Sequence, residues 1–418
     1  MGDGGRALPP AGEACRMLGA AVLLALAGHV LAQSPPLPSK VSLVSEFLQL
    51  GLTPRAQGAR DTCSLFAITA LAEFEYAKGT AGPHPRLSEE FLIWAGKEVC
   101  GKKREQAMFY EAAHGLDTFG ICSAELMPYT DKSGAERKPS DAALADAKGR
   151  SARWSVQWIR RWDTRRPLGD TALRALKEAL ASGHPVACGL RWPKSLRGHE
   201  LLEVPEAEQV YDGHSIAIVG YEDDARKNGG GVFLFRNSAG KDWGDNGYGV
   251  MSYAYIRAYA NDALWLRLGP PNSEVPIERF EAESLAVLAK DRCSVSPQDM
   301  QPWGGPLWSH GTQLFCQAQE GGSVELRYVI RKADRYRLRV LATAAPDFGE
   351  VRATLDSKPL DHTFDLYSGR ICPAGSLELG TFDLAAGPHS LRFTAERKNP
   401  ASTNFYFGLD AIDLLPRK

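Results

Sequence analysis

This chain has neither a strong net charge nor, after its N-terminal leader, a long apolar run. Lysine and arginine total 49 against 50 aspartate and glutamate, so the formal net charge is −1. Because a strong excess of one charge draws a protein to nucleic acid or to an anionic membrane surface, the overall balance predicts neither partner. After residue 32, no stretch approaches the roughly 20 apolar residues of a membrane-spanning helix. We therefore expect no transmembrane segment once the leader has been removed.

The N-terminus has the pattern of a signal peptide. Arg6 and Arg16 precede an apolar run from Met17 to Ala32. This is the order of a charged region, an apolar region and a cleavage site. The run is short for a membrane span, and a retained anchor is the alternative. The sequence thus predicts a signal peptide over residues 1–32 and a secreted or periplasmic protein.

The stretch Gln57–Cys63 places a side-chain amide six residues ahead of a cysteine that opens an apolar helix. Apolar residues recur at helical spacing from Leu65 to Phe74, and Asp61 or Thr62 can serve as the N-cap. A cysteine in the first turn feels the positive end of the helix dipole, which favours its thiolate, whereas the charge of Asp61 opposes ionisation. The spacing suits a thiol nucleophile with an oxyanion donor beside it. The alternative is a small buried side chain without chemistry.

Two later segments supply a base and a group to orient it. His214 immediately precedes a β-type apolar strand, and Asn237 ends the strand Phe233–Arg236 before a glycine-rich turn. Cysteine, histidine and asparagine in this order correspond to a nucleophile, its base and the residue that orients the base.

These segments closely resemble the papain-like cysteine peptidases, and Gln57, Cys63, His214 and Asn237 each fall on a matching position. The resemblance implies hydrolysis of a protein or peptide substrate through an acyl-enzyme on Cys63. His214 would act as base and acid and Gln57 as an oxyanion donor, and no cofactor would be needed for catalysis.

The resemblance covers roughly residues 41–269 and implies a two-lobed fold. We expect a helical lobe over about 41–150 and a β-barrel-like lobe over about 151–269. A chain of 418 residues is also long enough to divide into more than one domain.

Three positions depart from the family's pattern. The family usually has a second cysteine shortly before the nucleophile and a tryptophan directly after it, whereas this chain has Ala59–Thr62 and Ser64. The disulfide that normally braces this loop cannot form. The tryptophan that usually shields the asparagine–histidine hydrogen bond is Ala239 here, although Trp243 remains. We expect that bond to be wetter and weaker than in the family.

Two other functions stay open on the sequence. One is a non-catalytic binding protein on a papain-like scaffold, which the retention of all four residue types disfavours. The other is an acyl transferase that uses the same Cys63–His214 pair. Such transferases usually orient the histidine with aspartate, so Asn237 favours hydrolysis.

After the break at Gly269-Pro270-Pro271, short alternating strands separated by turns continue to Leu415. Their spacing is typical of a β-sandwich. Phe280–Glu283 and Gly408–Asp413 resemble the first and last strands of jelly-roll carbohydrate-binding modules. The predicted fold is therefore α+β, with a papain-like domain followed by an all-β jelly-roll-like sandwich over residues 277–418. We expect this sandwich to fold alone and to bind polysaccharide or cell-wall glycan.

In those modules the equivalent acidic residues hold a structural calcium. Glu281 and Glu283 point to one face of a strand, and with Asp410 their oxygens suit Ca²⁺. The alternative is a solvated strand edge. Aromatic side chains that could stack on sugars, or belong to the core, are Trp303, Trp308, Tyr367 and Tyr406.

The stretch Arg150–Arg166 holds six arginines among three tryptophans. Basic and aromatic side chains together can bind single-stranded nucleic acid. Alternation of Trp154, Val156 and Trp158 favours instead one buried face of a strand, although the tryptophan spacing would also suit a helix. We expect no nucleic-acid partner.

Six of the eight cysteines remain once Cys15 leaves with the leader and Cys63 is kept as the nucleophile. An exported location permits disulfides. An odd number in each half predicts one pair and one buried thiol apiece, or one cross-domain bridge. We predict a Cys100–Cys122 disulfide and Cys188 as a buried thiol, and the second pair stays open.

Overall fold

A computed structural model describes Met1 and residues 36–417, except 81, 102, 133–136 and 196–200. The predicted signal peptide thus lies outside the described residues, apart from Met1. Within the described ranges, no helix is both long enough and apolar enough to cross a membrane.

Seven α-helices lie in the first two thirds of the described chain. In chain order they are α1 Val44–Gln49, α2 Cys63–Lys78, α3 Glu89–Cys100, α4 Phe109–Phe119, α5 Asp141–Lys148, α6 Asp170–Ala181 and α7 Tyr253–Tyr259.

The same part of the chain forms an antiparallel sheet. Its strands are β1 Lys40–Ser42, β2 Trp154–Arg160, β3 Val186–Pro193, β4 Val210–Asp223, β5 Gly231–Arg236, β6 Tyr248–Ser252 and β7 Ala260–Leu268. They follow the order β2-β7-β3-β4-β5-β6, and β1 pairs with β4. The predicted strand over Trp154–Trp158 is therefore β2.

Helix α2 is buried on nearly all sides, which explains why most of its residues are apolar. Leu65 and Leu71 pack with side chains of α3, α4 and β7. Phe74 belongs to the cluster that covers the other side of the sheet. Because α2 lies between the two clusters, its first residue is held firmly relative to β4 and β5.

A second sheet forms the C-terminal region. Its strands are β8 Glu278–Glu281, β9 Ala286–Asp299, β10 Thr312–Ile330, β11 Asp334–Ala344, β12 Glu350–Leu355, β13 Lys358–Asp365, β14 Cys372–Leu384, β15 Gly387–Arg397 and β16 Phe407–Leu415. The order is β13-β12-β15-β10-β16-β11-β14, with β8 on β16 and β9 on β10. Its first strand β8 thus pairs with its last, β16, and the predicted α+β fold is confirmed.

The connection between the two sheets is buried and ion-paired. Glu274 accepts hydrogen bonds from Arg337 at 2.9 Å and from Arg339 at 2.8 Å. Beyond β2, Arg161 donates to the carbonyl of Ala374 in β14 at 2.9 Å. Part of the arginine-rich stretch therefore holds the two sheets together.

A hydrophobic cluster also crosses this boundary. Val99 and Cys100 at the end of α3 pack with Met300, Leu307 and Trp308 from the C-terminal region. The turns between β9 and β10 therefore pack against the helical lobe. That the C-terminal sheet folds alone stays a prediction.

The predicted Cys100–Cys122 disulfide is absent, and no disulfide is formed among the described cysteines. The reason is their location, because Cys122 packs with Phe91 and Met127 while Cys100 belongs to the cluster around Trp308. Cys188 is fully buried in β3, where it was predicted as a thiol.

Candidate functional site

Cys63 is the first residue of α2, and Thr62 is the N-cap. Thr62 makes no side-chain cap, since its hydroxyl is hydrogen-bonded to that of Tyr129 at 3.0 Å. The thiol is only 8% exposed, and it donates to the carbonyl of Gly213 at 3.7 Å. The nucleophile predicted from the sequence thus faces the strand segment that carries His214.

His214 on β4 and Asn237, which directly follows β5, are joined by a hydrogen bond. His214 Nε2 lies 2.8 Å from Asn237 Oδ1, and the backbone N–H of Ser238 donates to the same oxygen at 2.9 Å. Since that N–H can only donate, the shared atom is an acceptor, and His214 must donate from Nε2. In the neutral ring, Nδ1 therefore carries a lone pair that can accept a proton.

Aromatic rings cover this pair although Ala239 replaces the family's tryptophan. Trp192 on β3 packs on the imidazole of His214, with ring centroids 4.4 Å apart. Trp243 lies 6.4 Å from Trp192 and 5.8 Å from Phe235. A different tryptophan thus packs beside the histidine, which removes the reason for expecting a wet orienting bond.

Burial is the largest influence on the pKa values of Cys63 and His214. It raises the pKa of the Cys63 thiol, hydrogen bonds from Ser215 oppose it in part, and the charge of Asp61 adds to the rise. Burial also lowers the pKa of His214, against the raising effect of its bond to Asn237. Both shifts favour a neutral thiol and a neutral imidazole at rest. This differs from the thiolate expected at a helix N-terminus, because burial disfavours the charged form of the thiol.

Gln57 is held by four hydrogen bonds beside this pair. Its side-chain nitrogen donates to the carbonyl of Arg60 at 2.7 Å, and its side-chain oxygen accepts from the hydroxyl of Ser238. Its backbone N–H donates to Ser238 at 2.8 Å, and its carbonyl accepts from Tyr129 at 2.6 Å. One of the two amide protons remains for a substrate oxygen.

Ser215 and Ser238 are contributors that sequence reasoning missed. Ser215 supplies hydrogen bonds to the thiol, and Ser238 holds both Gln57 and Asn237. Each directly follows a predicted site residue, but serine is common enough that neither position stood out.

A buried ion cluster lines a cavity of about 20 Å³ behind Asn237. Arg55 pairs with Glu73 at 2.8 Å and with Glu89 at 2.6 Å. Burial raises the pKa of Glu89 to about 7, Arg55 opposes this rise, and Glu73 adds to it. The volume is enough for a single water molecule. The site therefore has a buried carboxyl group beneath it whose pKa is raised by burial.

Of the three carboxylates predicted to bind calcium, those of Glu281 and Glu283 lie close together. Ligand atoms of Glu281, Glu283 and His310 all lie within 4.8 Å of one another. Oε2 of Glu281 and of Glu283 is buried without a hydrogen-bond partner. Asp410 is linked to them through Ser309, whose N–H donates to Asp410 at 2.9 Å and whose hydroxyl donates to Glu281 at 2.9 Å.

Two of the four aromatic residues considered as sugar platforms are core residues. Trp308 is 3% and Tyr367 5% exposed. Tyr406 is half-buried, and Trp303 is 37% exposed. Trp303 is therefore the best placed of the four to meet a ligand.

The profile of the papain family of cysteine proteases matches residues 51–261. An uncharacterized peptidase C1-like protein of Acanthamoeba polyphaga mimivirus is 24% identical over 232 residues, which are 52% of this chain and 72% of that protein. Xylellain, a cysteine protease from Xylella fastidiosa, is 26% identical, and the match covers 56% of this chain and 88% of xylellain at a TM-score of 0.47.

The cysteine protease and lectin-like domains of Cwp84, a surface layer associated protein of Clostridium difficile, match 89% of this chain and 78% of their own at a TM-score of 0.51. At 14% identity this is a likeness of fold. It extends over both sheets.

Proposed function

Because the chain belongs to the papain family of cysteine proteases and is a cysteine peptidase, we propose that it hydrolyses peptide bonds through an acyl-enzyme on Cys63. The observation that carries this proposal is the bond from His214 Nε2 to Asn237. It leaves Nδ1 of His214 as an acceptor, and the thiol lies against the residue that precedes this histidine.

In the proposed reaction, His214 Nδ1 takes the thiol proton as the sulfur attacks the scissile carbonyl carbon. The tetrahedral oxyanion is stabilised by the free amide proton of Gln57 and by the backbone N–H of Cys63. His214 then protonates the departing amine, and a thioester remains on the sulfur. Water, deprotonated by the same nitrogen, hydrolyses the thioester and restores the thiol.

Cys63→Ala and His214→Ala are each expected to abolish cleavage of a fluorogenic peptide, because nucleophile and base act as one unit. Cys293→Ala removes a cysteine from the C-terminal region and serves as the matched control. Gln57→Ala should lower kcat on the order of 10²–10³-fold, the usual loss for one oxyanion donor. Equal turnover by wild type and Cys63→Ala would end the assignment of this nucleophile.

A structural calcium at Glu281 and Glu283 is supported by their buried, unpartnered carboxylate oxygens. Calcium prefers oxygen ligands, so the carboxylates fit it and the imidazole of His310 does not. A bound ion stabilises the folded state by linkage. We therefore expect EDTA to lower Tm and Ca²⁺ to restore it. A Tm that EDTA leaves unchanged would contradict the proposal, and recovery with Zn²⁺ alone would assign the site to a metal that accepts His310.

Secretion and glycan binding complete the proposal. The N-terminal pattern supports export and removal of residues 1–32, which N-terminal sequencing of the exported protein would test. The Cwp84 fold match, with its lectin-like domain, supports a glycan role for the C-terminal sheet. Retention on insoluble polysaccharide is expected and should weaken in Trp303→Ala. Equal retention of the two proteins would remove Trp303 from the binding surface.

A further inference from the structure

We propose that Arg60 is a positioning residue, whose buried side chain braces the loop that holds the oxyanion donor Gln57. The inference rests on the proposed function of Gln57 and Cys63. Arg60 lies three residues before the nucleophile and is only 2% exposed.

The guanidinium of Arg60 is tied to three different segments. Nη1 and Nη2 donate to the carboxylate of Glu90 in α3 at 2.7 and 3.3 Å. Nε and Nη2 donate to Glu105, each at 3.1 Å, and Nη1 also donates to the carbonyl of Thr130 at 2.6 Å. Because the planar guanidinium binds two carboxylates at once, both its orientation and its distance from them are fixed.

The backbone of Arg60 is tied to the site itself. Its carbonyl accepts from the side chain of Gln57 at 2.7 Å and from the N–H of Thr62, the N-cap of α2, at 2.9 Å. A shift of Arg60 would therefore move the oxyanion donor and the start of the nucleophile's helix together.

Tyr129 reinforces the same contact. Its ring lies 4.8 Å from the Arg60 guanidinium, and its hydroxyl donates to the carbonyl of Gln57. The loop is thus held from both ends, at Gln57 and at Arg60.

The ion pairs of Arg60 link the loop that precedes Cys63 to α3 and to Glu105. This is the loop that the family's disulfide normally braces, and that disulfide cannot form here. Because the loop is held by ion pairs and not by a disulfide, thiol reductants do not break this link. Removing the cation would leave two carboxylates facing each other in a largely buried site, and the loop would have to rearrange.

Arg60→Met is the direct test, and Arg150→Met is the matched control. Arg150 is also buried, pairs with Asp146 at 2.8 Å and lies 4.9 Å from the ring of Tyr76. Titration with an epoxysuccinyl reagent counts the folded sites in each variant. We expect Arg60→Met to lower kcat per titrated site by about 10²-fold, the cost of misplacing a group by 1 Å, with little change in KM. Arg150→Met should keep kcat.

A double-mutant cycle separates positioning from general destabilisation. If Arg60 acts mainly through Gln57, then Arg60→Met should lower kcat far less in the Gln57→Ala background than in wild type. Losses that multiply, or a folded Arg60→Met with the kcat of wild type, would overturn the proposal.

If Arg60→Met does not fold, Glu105→Gln is the second variant, since the Glu105 side chain is 17% exposed and its loss leaves Glu90 in place. Glu105→Gln should lower kcat, as Arg60→Met does. An unchanged kcat would contradict the proposed role of Arg60. Failure of the proposed function would look different, because wild type and Cys63→Ala would then have the same activity.

Discussion

Trp308→Ala is expected to destabilise the whole chain, because Trp308 joins the C-terminal sheet to the helical lobe. Its side chain is 3% exposed and packs with Val99 and Cys100 of α3. It also donates to the hydroxyl of Thr343 at 2.8 Å and lines a cavity of about 360 Å³. Replacing a buried tryptophan by alanine typically costs about 3–5 kcal/mol in free energy of unfolding. Loss of the hydrogen bond contributes roughly 1 kcal/mol within that total.

Urea unfolding followed by far-UV circular dichroism and by peptidase activity measures this change. Trp303→Ala is the matched control, since Trp303 is 37% exposed in the short turn Gln301–Trp303. Its free energy of unfolding should change by less than about 0.5 kcal/mol, as is usual at exposed positions. In Trp308→Ala, both probes should shift together to lower urea.

A loss below about 1 kcal/mol, far under the usual range for a buried tryptophan, would refute the reasoning. So would a C-terminal sheet that unfolds separately while activity persists. The same cluster predicts that a chain ending at Pro270 is unstable, because Val99 and Cys100 would be exposed. A truncated chain that is folded and fully active on small peptides would show that the shared cluster is dispensable.

Alkylation of Cys63 by iodoacetamide should accelerate toward alkaline pH, because burial raises the pKa of its thiol and lowers that of His214. A rate plateau extending to acidic pH would instead indicate a resting ion pair. Asp61→Asn should shift the alkylation profile to lower pH, since the charge of Asp61 adds to the raised thiol pKa. An unchanged profile would mean that this carboxylate does not act on the sulfur. Glutathione disulfide should join Cys293 to Cys316, since β9 and β10 pair so that Cys293 lies opposite Ala318, two residues from Cys316, and peptide mapping that finds only mixed disulfides would contradict this.

Elements with a buried face could be predicted from the sequence. The apolar helical spacing from Leu65 to Phe74 belongs to α2, and the alternation from Trp154 is β2. The strands β9 and β13 were not predicted, because both are largely exposed. Apolar alternation reports burial, so it gives little signal for strands stabilised mainly by backbone pairing.

The site was predictable where a residue type and its neighbours carry the chemistry. His214 in β4 and Asn237 directly after β5 lie 2.8 Å apart between their side-chain atoms. Ser238 was not predictable, because its importance comes from two hydrogen bonds to different segments. Arg60 was considered only as part of Ala59–Thr62, the stretch without the family's second cysteine, since its partners Glu90 and Glu105 lie far along the chain.

The replacement of the family's tryptophan by Ala239 shows why one missing ring is weak evidence about how well the His214–Asn237 hydrogen bond is shielded from water. The sequence led to the expectation of a wet bond between Asn237 and His214. However, β3 and β4 pair so that Trp192 lies opposite Tyr211, and this register brings the indole onto the imidazole. Shielding depends on which ring lies over the histidine, and strand pairing decides this. Counting residues from Asn237 in the sequence therefore shows only that the usual tryptophan is missing. It cannot show that Trp192 takes its place.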